Sequence, residues 1–63
     1  MSRLQDARHG IIVERRMAEE AIEGAREARR DEVRAALLAE AQVHATLALG
    51  YAVELHAMRT NPT

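Results

Sequence analysis

The sequence predicts an all-α fold: two long helices forming an antiparallel hairpin that self-associates into a helical bundle, with one long continuous helix in a coiled coil as the competing form. Three observations carry this. No proline removes a backbone donor between Ile11 and Arg59. Strong helix formers dominate, with thirteen alanines and nine arginines in 63 residues. Apolar residues also recur at steps of three and four in two separate stripes, the spacing of one helix face.

The first helix is expected over about residues 11–29. Leu4, Ala7, Ile11, Ala18, Ala21, Ile22, Ala25 and Ala28 fall along one stripe, which only Glu14 interrupts. Gly10 either marks the start of this helix, leaving residues 1–10 as a frayed segment, or lies within it at a cost of roughly 1 kcal/mol relative to alanine. His9 reads as N-terminal surface.

A turn is expected at about residues 29–32, where Arg29, Arg30, Asp31 and Glu32 are four consecutive charges and the apolar stripe loses its phase. Arginines closing one helix and acids opening the next complement both helix dipoles, with Asp31 as the candidate N-cap. Without the turn, the chain would form a helix of about 70 Å at 1.5 Å per residue. The turn contains neither glycine nor proline.

The second helix is expected over about residues 32–59, followed by a tail at Asn61, Pro62 and Thr63, so that residues 11–60 form one helical domain. Its seam reads Leu37 or Leu38, then Ala41, Ala45, Ala48, Ala52 and Leu55. Alanine lets two backbones approach closely, and dispersion contacts then offset the small apolar area per residue. From Val33 to Met58, 18 of 26 residues are apolar, with Val43 and Leu47 on the side opposite the seam. A helix apolar on most sides needs neighbours on most sides, and one helix of the same chain is too few. Leu37, Leu38, Ala41, Ala45, Ala48, Leu49, Ala52 and Leu55 are therefore the expected interface. The expected partner is the chain itself, as a dimer or tetramer, because two-fold dimers are the commonest assemblies and two hairpins make a four-helix bundle. The rows Glu19, Glu23, Glu27 and Arg26, Arg30, Arg34 on the charged helix face solvent, or pair across an interface in a salt-dependent way.

Composition excludes several classes. Without cysteine there is no disulfide framework and no thiolate metal site. A net charge of -1 leaves no basic excess for a run of phosphates, so no nucleic acid is expected as partner. Charges interrupt every early apolar run, and the 13-residue uncharged stretch from Ala41 to Val53 falls short of a bilayer; neither a secretory signal nor a membrane is expected, and the location is read as cytoplasmic. Arginine without lysine, beside abundant alanine, fits a GC-rich coding sequence such as an actinobacterial or phage one.

Glu40, His44, Tyr51 and Glu54 line one narrow face of the second helix. Glu40 and His44 are the candidate metal ligands there, if several copies bring them together. The plainer reading is a wetter face with His44 hydrogen-bonded to Glu40, and no metal or other cofactor is expected. His56, near Leu49 and Ala45, reads as an interface histidine. With no cysteine, no lysine, few hydroxyls and isolated glycines, no enzyme is expected. The expected function is that of a small non-enzymatic interaction protein acting through homo-oligomerisation. The alternative is an adaptor or inhibitor, such as a phage-encoded one, docking its apolar second helix on a host or virion protein.

Ile11, Ile12 and Val13, then Gly24, then Arg30 to Leu37 resemble a ribbon-helix-helix repressor over about 27 residues. The resemblance implies a dimer that reads the DNA major groove with a two-stranded ribbon. This chain departs from that pattern in having no alternating strand before the first helix and no basic charge.

Overall fold

The fold is built from two antiparallel helices, α1 (Arg3–Glu27) and α2 (Asp31–Thr60), packed along their length in a rod of 50 × 16 × 12 Å. The computed structural model describes residues 2–60; the expected tail lies outside the described residues. The hairpin is therefore the form adopted, and the continuous helix is not.

Helix α1 begins eight residues before Ile11. Ser2 caps it: its hydroxyl accepts from the Gln5 backbone at 3.1 Å while the Gln5 side chain accepts from the Ser2 backbone N–H at 3.2 Å, a reciprocal box that satisfies two otherwise orphaned donors. Residues 3–10 are thus helix rather than a frayed segment, and Gly10 lies inside it. Ile11, Ile12 and Val13 are helical too, so the ribbon of the ribbon-helix-helix resemblance is absent.

The chain reverses over residues 28–30, slightly earlier than the charges suggested. Ala28 adopts extended backbone (φ -69°, ψ 132°), ending α1 without glycine. The Arg34 guanidinium reaches back and donates to the Ala28 carbonyl at 2.9 Å, which ties the turn to the first turn of α2. Arg30 rather than Asp31 holds the N-cap position, since its carbonyl accepts the first helical bond from the Arg34 amide at 3.0 Å. Asp31 and Glu32 sit in the first turn, where their charge complements the dipole.

The fully buried part of the seam between the helices is all alanine, flanked by half-buried larger side chains. Ala7, Ala18, Ala21 and Ala25 of α1 and Ala41 and Ala48 of α2 are the buried core. The α1 stripe is as the sequence reads, except that Ile22 turns to the flank and is 39% exposed. The α2 stripe differs in phase. It runs Leu37, Ala41, His44, Ala48, Tyr51, Leu55 and Met58, in alternating steps of four and three, while Ala45 and Ala52 are exposed. The reason lies across the seam. Glu14 occupies a seam position and takes His44 as its partner, and Gly10 leaves the space that the Tyr51 ring fills.

Two glycines record this close approach. A Cβ on Gly10 would lie 2.7–2.8 Å from Tyr51 ring atoms, and one on Gly24 would meet a Leu37 methyl at 3.3 Å. Gly50, by contrast, has nothing within 4 Å. Gly10→Ala should therefore destabilise the hairpin by on the order of 1 kcal/mol, the clash outweighing the helix-propensity gain, whereas Gly50→Ala should stabilise it by roughly 0.5–1 kcal/mol. Denaturant unfolding checks both, and in a Tyr51→Ala background the sign at Gly10 should reverse.

Candidate interaction surface

Two polar side chains of the seam, Glu14 and His44, are partnered with each other. His44 Nδ1 and Glu14 Oε2 are hydrogen-bonded between the helices, with side chains 23% and 18% exposed. On the other side of the ring, Nε2 lies 3.9 Å from Glu40 Oε1, outside hydrogen-bond range. The bond to Glu40 read from the sequence is thus replaced by one to Glu14, thirty residues away. Near the end of the rod the Arg3 guanidinium meets Glu54 at 3.4 Å; both are largely exposed, so this pair contributes little. No buried side-chain nitrogen or oxygen among the described residues lacks a hydrogen-bond partner.

The four polar residues of α2 do not form one face. His44 and Tyr51 enter the seam, and Glu40 and Glu54 stand at its rim. A metal needs donors that converge on one point, yet the two carboxylates approach His44 from opposite ring nitrogens. Glu40 and His44 do not make a chelating set within one chain, and the described residues contain no group of three or more potential ligands.

The expected interface residues divide in two. Ala41 and Ala48 are buried against α1, with Leu37 and Leu55 half-buried beside them. Leu38, Ala45, Leu49 and Ala52 remain exposed, Leu49 at 65%. His56 is exposed on the same side. Val43 and Leu47, which the sequence places opposite the seam, are exposed, as is Val53, which it did not single out; Ala39, Gln42, Val43, Thr46 and Leu47 line a shallow depression on the side away from α1. The heptad repeat of the seam, once phased by Glu14 and His44, would have revealed that face.

Helix α2 is also the one helix among the described residues long and apolar enough to cross a membrane, with 6% of its apolar window buried. The 13-residue uncharged run falls short of a bilayer only if no charge is admitted to the window. Against this stands the companion helix. α1 lies along α2 with Glu14 bonded to His44 at mid-length, and ionisable groups at bilayer depth are costly.

Comparison of the chain with known protein families, with curated proteins and with solved structures finds no match in any of the three.

The Glu14–His44 layer makes a direct prediction. Glu14→Leu should cost about 1 kcal/mol by leaving the imidazole without its partner, and His44→Leu should cost a similar amount by stranding the carboxylate. The double variant Glu14→Leu/His44→Leu completes an apolar seam and should be more stable than either single variant, matching or exceeding the parent. A double-mutant cycle in thermal or urea unfolding measures this coupling, with additive effects as the contrary result.

Proposed function

We propose that the protein is a non-enzymatic helical interaction protein that acts by assembling with copies of itself. One observation carries this reading. Every buried core residue is alanine, while Ile12, Met17, Ile22, Val33, Leu38, Val43, Leu47, Leu49 and Val53 are all at least 39% exposed. Nine large apolar side chains of the described residues thus stand exposed, and none is fully buried within the hairpin. Each buried methyl contributes only about 0.8 kcal/mol, so the isolated pair is thinly held, and chains of this size ordinarily gain stability through staples or association.

Six of those nine exposed residues belong to α2. They wrap around the helix, so one docked surface leaves others bare. Repeated contact between copies covers them more completely than a single groove on another protein would. The reading requires no catalytic group and no cofactor.

Light scattering across a hundredfold concentration range tests it. The wild-type chain should exceed monomer mass. Leu38→Glu/Leu49→Glu should weaken association at least tenfold, since it places two charges in an apolar contact. A wild-type monomer at every concentration would overturn the reading and direct attention to a different protein as partner.

A further inference from the structure

Helix geometry sorts the exposed apolar groups and the charges together onto two flanks of the rod. One flank is marked where Ile22 and Leu38 meet over Ala25, beside Arg26 and Arg34. Seven-residue steps along α1 from Ile22 reach Arg15 and Arg8. The same steps along α2 from Leu38 reach Ala45, Ala52 and Arg59, with Leu49 alongside. This flank bears Arg8, Arg15, Arg26, Arg34 and Arg59 against Glu19, Asp31 and, at its outer edge, Glu23, whose carboxylate lies 3.7 Å from Arg26.

The opposite flank is marked by the Arg3–Glu54 pair and by Gly10 and Gly24 beneath Tyr51 and Leu37. Seven-residue steps from Glu54 reach Leu47, Glu40 and Val33, and Met17 lies between the two glycines in the same row of α1. Asp6, Glu20 and Glu27 project beside that row. Five acids here face one arginine, Arg3, which Glu54 already engages. A chain of net charge -1 therefore has one basic and one acidic side.

Each flank also carries an apolar strip. Ile22, Leu38 and Leu49 are 39%, 48% and 65% exposed on the arginine flank, and Met17, Val33 and Leu47 are 39%, 44% and 46% exposed on the acidic one. Apolar centres rimmed by charge are the make-up of protein interfaces. Pairing either flank with its own kind by two-fold symmetry sets like charges against each other over the apolar strip, which is penalised. Pairing one flank with the other sets opposite charges together. We propose that copies associate heterologously, the arginine flank of one hairpin packing on the acidic flank of the next, to build a closed ring or an open filament rather than a two-fold dimer. This inference rests on the self-association proposed above and fixes its geometry.

The test uses one blocking substitution per flank, at positions the hairpin already leaves exposed: Leu38→Asp on the arginine flank and Leu47→Asp on the acidic flank. Each variant alone should lose assembly, because its intact flank has no intact counterpart. Mixed in equal amounts, they should form a complex of one copy of each and nothing larger. Far-UV circular dichroism follows helix content, and the wild-type chain gives a second readout independent of folding in the variants. Raising salt from about 0.05 to about 0.5 M should weaken wild-type association severalfold, whereas like-charged flanks would associate more tightly as salt rises. If one of the two variants assembles alone as the parent does, or if association strengthens with salt, the heterologous contact is overturned while self-association stands. A wild-type chain monomeric throughout removes both.

Discussion

The close approach of two backbones along an alanine seam is the constraint from which the remaining structure follows. Side chains of one methyl let α1 and α2 pack tightly but exclude little water, so the seam is well fitted and weakly hydrophobic. Its specificity comes from exceptions to alanine. Glu14 with His44 and Gly10 with Tyr51 each match a feature of one helix to a feature of the other at a single alignment. A shift of one heptad would strand the carboxylate and drive the tyrosine ring against a side chain instead of a glycine. Polar partners set within a seam fix register in coiled coils, at some cost in stability.

How much of this was legible depends on the residue. The α1 stripe could be read because large and charged residues contrast with the alanines between them, and the break at Glu14 was itself the clue to a polar layer. The α2 phase was misread because alanine occurs on almost every face of that helix and carries little phase information. Assigning the seam by apolar character chose Ala45 and Ala52 and sent His44 and Tyr51 to the wet side. What decides the phase is a partner thirty or more residues away, and no local rule contains it. The turn shows the same limit on a smaller scale. Its charges announced a break, but the Arg34 side chain holding the Ala28 carbonyl moved the boundary and made glycine unnecessary.

The candidate surface was legible in kind and incompletely in place. An excess of apolar residues in the second half implied that α2 is apolar on several sides, and the six large apolar side chains it leaves exposed answer to that. The expected eight-residue interface straddled two environments, because a helical wheel drawn without the phase of α1 cannot separate the face used within the chain from the face left over. Val43, Leu47 and Val53 belong to the second kind.

Chain direction has a further consequence for charge. In a parallel pair, the flanking row on one side of the seam meets the opposite row of its neighbour, whereas an antiparallel hairpin brings corresponding rows together. Here Arg8 and Arg15 of α1 come to lie along the flank of Leu38 and Arg59, and Glu20 and Glu27 along that of Glu40 and Glu54. Parallel pairing of the same helices would mix these rows and average the charge on both sides. The three-residue turn, by enforcing antiparallel packing, is therefore what converts a nearly neutral sequence into a rod with two oppositely charged sides. A surface meant for one foreign groove needs a single complementary face, whereas two apolar strips of opposite rim charge are complementary to each other, and on that complementarity the proposed self-association rests.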